Sequence, residues 1–336
     1  MTLADLATKR SFLTYGLGAA GLALPLVSGC GAGKGTGLLT ACDVHKEGYP
    51  TVVAVKWLGE ALSKESGGRL TVRTYSSGQL GAEDDTIALA QSGVIDICRV
   101  NAAALNNAFP LTQAVSLPFV IENDDHLHAV LDGPIGQEIL KGFEARGLIG
   151  LATYDAGGRC FYNAQRPIAA PEDLHGLKIR VPQSDVFIEA VSAMGANPTP
   201  LSFSAVYSAL QSRLIDGAEN NWPTFESSRH LEVAHYWSQT QHSYSPEFLL
   251  ISKRSFEKLS PQDKDLLRGL AQQSIAVMRA AWVKTEADAY EKAMAAGTKI
   301  VEVNKAAFKA VCAPIIARRL QNDALAKLHT AIRAMT

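Results

Sequence analysis

Apolar residues recur along this chain in two patterns, short nearly continuous runs and longer stretches with one apolar face. The first pattern predicts strands over residues 38–41, 70–75, 95–100, 147–153 and 248–252. The second predicts helices over residues 50–64, 82–91, 126–144, 184–194, 205–211 and 261–296. The β-α-β-α-β order of the first five elements favours a parallel sheet covered by helices on both faces, which is the α/β class.

The helix predicted over residues 261–296 is longer than one small domain needs. At 1.5 Å per residue it would span roughly 50 Å. A chain of 336 residues also predicts two domains. We therefore expect this helix to brace two domains, and no internal repeat is apparent between them.

The N-terminus has the composition of an export signal rather than of a folded domain. Lys9 and Arg10 precede an apolar stretch over residues 12–27, which is followed by small residues. Residues 8–13 are similar to a Lys-Arg variant of a twin-arginine signal, so the export route stays open. Residues 1–30 are therefore predicted to be a signal peptide, and the mature protein to be periplasmic.

The end of this predicted signal allows two outcomes. Residues 27–30 (VSGC) resemble a bacterial lipobox, which would make Cys30 a lipidated first residue that tethers the protein to the membrane. Alternatively, Cys30 lies just past a conventional cleavage site. Residues 31–37 are rich in glycine and predict a flexible tether before the folded chain.

Charge and cysteine usage exclude several classes of function. The net charge is −1, so nothing favours nucleic acid as a partner. Paired metal-binding spacings are missing from the scattered later cysteines, and we expect buried free thiols at Cys42, Cys98, Cys160 and Cys312. The sequence gives no reason to predict a metal.

Signatures of catalysis are equally missing. The chain has no HExxH zinc site and no Gly-x-Ser-x-Gly elbow. One dinucleotide-like match, over residues 16–21, falls inside the export signal with no strand before it. We therefore predict a protein without a cofactor that is not an enzyme.

The segment EDLHGLKIRVP, residues 172–182, carries the strongest chemical signal. It places Arg180 on a short apolar strand, where its guanidinium is a rigid bidentate partner for a carboxylate. Asn220 and Asn221 fall on a predicted polar turn, and paired amides offer donors and acceptors to a small polar molecule. Asn101 follows another predicted strand, where α/β folds bind ligands. This combination predicts capture of an organic anion.

Ordered blocks along residues 38–310 resemble the solute-binding proteins of tripartite ATP-independent periplasmic (TRAP) transporters, the DctP type. The blocks are GGR at 67–69, SGQLG at 77–81, SGVID at 92–96, SLPF at 116–119, GR at 158–159, RPI at 166–168, residues 172–182, VYxALQ at 206–211 and DGAEN at 216–220. The resemblance implies a two-lobe periplasmic-binding-protein-like fold of class II type, with crossing hinge strands and a long interlobe helix. It implies a first lobe over 38–156 and 246–285 and a second over 157–245 and 286–336.

The resemblance also implies roles for individual residues. Arg180 would clamp the ligand carboxylate, Arg159 would assist it, Asn220 would contact the ligand and Phe203 would line the pocket. Gln183 stands where some sialic-acid binders carry asparagine, and Asn101 replaces an acidic residue of those proteins, which disfavours sialic acid. The implied partner is the TRAP membrane permease.

Three further residues complete the predicted ligand site. His45 and Glu47 lie between the first strand and the first helix, and Trp222 offers a flat apolar face. Many neutral donors and acceptors beside ring surfaces suit a hydroxylated ring, so we predict a sugar acid such as a hexuronate. A C4-dicarboxylate is the alternative ligand, and an exported enzyme acting on carboxylates is the less favoured alternative function.

Overall fold

The computed structural model describes residues 37–335. The predicted signal, Cys30 and most of the predicted tether lie outside the described residues. The strands of the described chain are β1 (Gly37–Cys42), β2 (Leu70–Tyr75), β3 (Ile97–Asn101), β4 (Leu148–Tyr154), β5 (Arg159–Asn163), β6 (Lys178–Val181), β7 (Asn197–Pro200), β8 (Gly217–Asn220), β9 (Tyr236–Ser243), β10 (Glu247–Ser252) and β11 (Lys299–Val301).

These strands form two sheets, each the centre of one lobe. The first sheet has the order β2-β1-β3-β10-β4, and the second has the order β11-β9-β5-β8-β6-β7. Strands β1, β2 and β3 are parallel, as their β-α-β-α-β order predicts. Strand β10 runs antiparallel between β3 and β4, because it enters the sheet at the edge where those two strands end, with Glu247 opposite Asn101 and Tyr154.

Helices cover both faces of each sheet. They are α1 (Pro50–Glu65), α2 (Glu83–Ser92), α3 (Ala102–Leu105), α4 (Asp124–Asp132), α5 (Pro134–Gly142), α6 (Asp185–Ala193), α7 (Val206–Gln211), α8 (Trp222–Ser227), α9 (Lys253–Glu257), α10 (Pro261–Ala295), α11 (Lys305–Arg319) and α12 (Asp323–Arg333). Short 3₁₀ turns occur at Pro110–Val115, Glu144–Arg146, Pro171–Leu174, Phe203–Ala205 and His230–Glu232.

Helix α10 links the two lobes, as its predicted length implies. It has 35 residues, and its N-cap is Ser260, whose hydroxyl accepts a hydrogen bond from the Asp263 amide. Leu270 and Met278 pack with α1 on the first sheet, whereas Ala289 packs with Trp237 on the second. The chain also crosses between the sheets at residues 155–158 and 244–246. The predicted two-lobe fold with crossing strands and a long interlobe helix is confirmed.

Two local predictions are wrong. The helix expected over residues 126–144 is two helices, because Gly133 is extended and Pro134 starts a new helix at its first position. Asn220 does not lie on a turn. It is the last residue of strand β8, which pairs with β5 on one edge and β6 on the other. The strand has only four residues, two of them polar, so the sequence contains no apolar run that would predict it.

The two lobes share a repeat that the sequence reading missed. Residues 91–96 (QSGVID) and 211–216 (QSRLID) both end a helix with a left-handed residue, Gly93 or Arg213, and lead into a strand. In each case the backbone amide of the aspartate donates to the carbonyl oxygen of one residue on the neighbouring parallel strand. The backbone amide of that residue donates in turn to the aspartate carboxylate. The four bonds join Asp96 to Thr40 (3.2 and 2.7 Å) and Asp216 to Lys178 (2.8 and 2.8 Å).

The last helix returns to the first lobe. Helix α12 packs against the Pro110–Val115 turn and α5, and His126 Nε2 lies 3.0 Å from the Ile332 carbonyl oxygen. This part of the predicted second lobe therefore contacts the first, and the division of the chain between lobes stays a prediction. Among the described residues no helix has the length and apolar character to cross a membrane.

Two glycines test the packing that supports the site. A methyl group at Gly217 in β8 would lie 2.4 Å from the Tyr162 carbonyl oxygen, whereas one at Gly269 in α10 would meet nothing within 4 Å. We expect Gly217→Ala to lower the free energy of unfolding by about 2 kcal/mol, because the neighbouring strand must shift. Gly269→Ala should raise it by up to about 1 kcal/mol. Urea unfolding of both variants measures the two changes. Equal changes in the free energy of unfolding would contradict the close approach of Gly217 to Tyr162.

Candidate ligand-binding site

Three adjacent strands of the second sheet bring the predicted polar residues together. Strand β8 lies between β5 and β6, in antiparallel register with the first and parallel register with the second. Arg159 begins β5, Arg180 lies in the middle of β6, and Asn220 ends β8. The three side chains line one cavity between the lobes.

Arg180 is a buried cation without a carboxylate partner. Its side chain is only 5% exposed. Its Nε and Nη2 both donate to the Leu201 carbonyl oxygen, at 3.0 and 2.8 Å, which fixes the plane of the guanidinium. It forms no ion pair with the described carboxylates. Burial lowers the pKa of Arg180, but an arginine keeps its charge in proteins. The Nη1 group therefore remains available to an anion.

Arg159 has its partner within the protein. Its Nε and Nη2 donate to the two carboxylate oxygens of Glu219, at 2.6 and 2.8 Å, and its Nη1 lies 3.3 Å from Asn220 Oδ1. Burial alone would raise the pKa of Glu219, but Arg159 holds it at about 2. This pair neutralises one arginine and positions Asn220, so the uncompensated positive charge of this wall is that of Arg180.

The opposite wall, from the first lobe, is acidic. Its centre is Arg99, which is fully buried and donates to Asp43, Glu83 and Glu247. Three carboxylates thus surround one guanidinium. Asn101 Nδ2 also donates to Glu247 at 3.0 Å, so the predicted ligand residue Asn101 acts here by positioning a carboxylate.

Glu83 presents the more open carboxylate of this wall. Its Oε1 accepts from Arg99 at 3.0 Å and from the Asn101 amide at 2.8 Å. No described residue donates to its Oε2. Burial raises the pKa of Glu83, Arg99 opposes that shift, and Glu247 adds to it. Because Oε2 has no donor among the described residues, Glu83 offers the cavity an oxygen that can hydrogen-bond a ligand hydroxyl group.

His45 closes the same wall with an aromatic stack. Its Nδ1 lies 2.9 Å from Arg99 Nη2 and 3.1 Å from Asp43 Oδ1. Its ring stacks on Tyr49, with centroids 3.8 Å apart and an interplanar angle of 4°. Since Nδ1 is engaged by the protein, Nε2 is the atom left for the cavity.

The lobes meet around this cavity. Asn106 Nδ2 donates to Ser184 Oγ at 2.9 Å, and Tyr49 OH lies 3.0 Å from Thr224 Oγ1. The space between the two walls, counted together with its open mouth, is about 370 Å³. It is lined by Val44, His45, Glu83, Asn101, Arg159, Arg180, Pro182, Phe203, Asn220 and Glu247.

Six predicted site residues line this cavity: His45, Asn101, Arg159, Arg180, Phe203 and Asn220. Four do not. Glu47 is exposed and pairs with Lys56 at 2.5 Å, and Gln183 is exposed beside a neighbouring cavity. Asn221 caps α8 and donates to the Ala156 carbonyl oxygen. Trp222 stacks on Trp237 in the second lobe's core, with centroids 3.7 Å apart.

Sequence reasoning missed the two carboxylates, Glu83 and Glu247. Glu83 lies just after the SGQLG block, separated from it by Ala82, and is the first residue of α2. Glu247 is the one charged residue of β10, a strand whose other members are apolar apart from Ser252. A charged residue at the start of this mostly apolar strand was the sequence signal that could have identified Glu247 as a site residue.

Other chemistry is not evident in the described part of the chain. No cluster of three or more His, Cys, Asp or Glu side chains with metal-binding geometry occurs there. The four described cysteines are buried free thiols, as predicted.

Fold and site together define a two-lobe ligand-binding protein with a cation at one side of its cleft and carboxylates at the other. A family model described as bacterial extracellular solute-binding protein, family 7 (DctP) matches residues 42–323. The chain belongs to this family, so the resemblance seen in the sequence is confirmed. The members of this family are extracellular solute-binding proteins of transport systems rather than enzymes.

Solved structures of TRAP periplasmic solute-binding proteins have the same fold as this chain. A TRAP periplasmic solute-binding protein from Bradyrhizobium sp. BTAi1, in complex with D-galacturonate, is 43% identical with a TM-score of 0.87, and the match covers 88% of this chain and 99% of that one. A second, from Xanthobacter autotrophicus Py2 with bound β-D-galacturonate, is 40% identical with a TM-score of 0.86 and the same coverage. A third, from Citrobacter koseri with bound D-glucuronate, is 35% identical with a TM-score of 0.85, covering 88% and 98%.

The Arg159–Glu219 pair predicts a pH-dependent contribution to stability. The pKa of Glu219 is about 2 in the fold against an ordinary value of 4.5. A lowered pKa adds stability that is complete above pH 4.5 and is lost as the pH falls towards 2. Urea unfolding should therefore find Glu219→Gln less stable than the parent at pH 7, with a difference that shrinks by on the order of 3 kcal/mol down to pH 2.

The exposed Glu257→Gln is the matched control for this experiment, and its difference from the parent should stay small at every pH. A Glu219→Gln difference that does not change between pH 7 and pH 2 would contradict the assigned pair.

Proposed function

We propose that this chain is the extracytoplasmic solute-binding subunit of a TRAP transporter, which captures a hexuronate and delivers it to a membrane permease. The observation that carries this proposal is Arg180. Its guanidinium is buried in the interlobe cavity, is fixed by the Leu201 carbonyl and lacks a carboxylate partner among the described residues. A buried charge of this kind is costly unless it is paired, so a ligand carboxylate is its natural counterion.

The acidic wall supports a sugar acid over a C4-dicarboxylate. The second carboxylate of a dicarboxylate would face Glu83 and Glu247 across the cavity, and like charges in a desolvated site repel each other. Ring hydroxyls would instead donate to these carboxylates, while Asn220 and His45 supply further polar contacts. A molecule with one carboxylate and several hydroxyls fits both walls.

The neighbours' ligands favour the same class. The Bradyrhizobium and Xanthobacter proteins hold galacturonate, and the Citrobacter protein holds glucuronate. These two acids differ in the configuration of one hydroxyl. Both present one carboxylate for Arg180 and a set of ring hydroxyls for the acidic wall, so the proposal covers both.

Delivery requires that the lobes open and close around the ligand. The crossing segments at residues 155–158 and 244–246 and helix α10 join the lobes, which is the arrangement of a hinge-closing binding protein. The permease would recognise the closed form. Export by residues 1–30, with or without lipidation at Cys30, would place the chain in the periplasm.

Ligand selectivity is tested with the unmodified chain. Calorimetric titration should detect 1:1 binding of galacturonate or glucuronate, and succinate should bind at least about tenfold more weakly because its second carboxylate meets the acidic wall. Mass spectrometry should recover the ligand unchanged. Binding of succinate alone would remove the sugar-acid proposal, and chemical conversion of the ligand would indicate an enzyme.

Removing the Arg180 charge tests the clamp directly. We expect Arg180→Met to weaken hexuronate binding by about 3 kcal/mol, roughly a hundredfold in Kd, because a charged contact in a desolvated cleft is lost. The exposed Arg73→Met is the matched control and should leave binding unchanged. Unfolding by urea should find Arg180→Met at least as stable as the parent, since the substitution removes a buried unpaired charge. Unchanged affinity in a folded Arg180→Met protein would refute the clamp.

A further inference from the structure

A second and larger cavity adjoins the ligand cavity along the cleft. This outer cavity is about 820 Å³ with its open mouth, against about 370 Å³ for the inner one. One side is lined by residues of the first lobe, Ser77, Gly78, Gly81 and Ala82, and the other by residues of the second lobe, Ser204, Ser227 and Ser228. Because both lobes contribute, the outer cavity, like the inner one, is a feature of the cleft.

Three residues belong to both cavities: Val44, His45 and Phe203. The rings of His45 and Phe203 lie with their centroids 5.3 Å apart and their planes at 58°. Phe203 begins the short Phe203–Ala205 turn and is only partly buried. The inner and outer cavities therefore meet at an aromatic junction, so a ligand bound at Arg180 can extend past His45 and Phe203 into the outer cavity.

The outer cavity has the chemistry of a carbohydrate subsite. Hydroxyl groups come from both lobes, through Ser77 on one side and Ser204, Ser227 and Ser228 on the other. The ring of Phe203 supplies an apolar surface of the kind on which the face of a pyranose packs. The serine hydroxyls can each donate and accept hydrogen bonds, and so can the hydroxyl groups of a sugar, so the two sets can pair with each other.

A cation also lines the outer cavity. Lys46 has a half-exposed side chain, and its one ion pair among the described residues is a long contact of 3.8 Å to Glu226. Glu226 is already paired with Lys292 at 3.1 Å. Lys46 is thus available to an acid group in the outer cavity, as Arg180 is in the inner one.

We propose that the outer cavity is a second sugar-acid subsite, so that this protein binds a glycosidically linked di-hexuronate as well as a single hexuronate. The first unit would place its carboxylate on Arg180, the linkage would pass between His45 and Phe203, and the second unit would place its carboxylate near Lys46. The inference rests on the proposed function, because it uses the same clamp and the same cleft.

Calorimetric titration of the parent chain with galacturonate and with digalacturonate tests this inference. Both should bind with 1:1 stoichiometry. Lys46→Met should weaken digalacturonate by about fivefold, since it removes a partly solvated charge pair, and should change galacturonate by less than about twofold. Ser204→Trp, which fills the outer cavity from an exposed position, should weaken digalacturonate by more than about tenfold and leave galacturonate within about twofold.

Matched controls are exposed residues of the same types that line neither cavity. Lys258→Met and Ser208→Trp alter exposed residues of the same types and should leave both ligands unaffected. Selective loss of digalacturonate in the two cavity variants, and not in the controls, supports the second subsite.

Three outcomes would overturn the second subsite, and they separate it from the proposed function. Binding of galacturonate without binding of digalacturonate removes the subsite and leaves the hexuronate function intact. Binding of digalacturonate that neither Lys46→Met nor Ser204→Trp weakens means that the second unit lies elsewhere. Failure of both ligands overturns the proposed function, and this inference falls with it.

Discussion

A buried guanidinium that lacks a carboxylate partner is the constraint on which the rest of this structure depends. Arg159 and Arg180 lie on strands separated only by β8, yet Glu219 neutralises only Arg159. The second-lobe wall thus keeps the charge of Arg180, whereas the first-lobe wall holds three carboxylates around Arg99. Closure of the cleft brings a positive and a negative surface together, and a ligand with one acid group and several hydroxyls satisfies both.

The fold supports the two walls with the same local unit in each lobe. The hexapeptides at 91–96 and 211–216 end a helix, turn through a left-handed residue and tie the start of a strand to its parallel neighbour. In the first lobe the strand that follows carries Arg99, and in the second it carries Glu219. Arg99 pairs with the carboxylates of the first-lobe wall and Glu219 pairs with Arg159 of the second, so in each lobe the repeat positions a buried ion that holds side chains of the cavity wall.

Residues that stand out within one short segment could be placed at the cavity from sequence. Arg180 is conspicuous within an apolar strand, Asn220 within a polar segment, and Arg159 followed from the family resemblance. Glu47 was chosen for its place between the first strand and the first helix, and Trp222 for its flat ring. The Glu47 side chain is exposed, whereas the Trp222 ring lies in the core. Glu83 and Glu247 were missed because they approach the cavity from α2 and β10, elements that are distant in sequence from the Arg180 strand.

The sequence by itself determined the α/β class, the long linking helix and the placement of Arg180 on a buried strand, because apolar periodicity and a charged residue within an apolar run are local properties. Only the tertiary structure decided which charges are neutralised. Whether an arginine is free to bind a ligand depends on which carboxylate folding places beside it, and Glu219 lies far from Arg159 in sequence but 2.6 Å from it in space. The outer cavity likewise exists only where the two lobes meet, since each lobe supplies a different part of its lining.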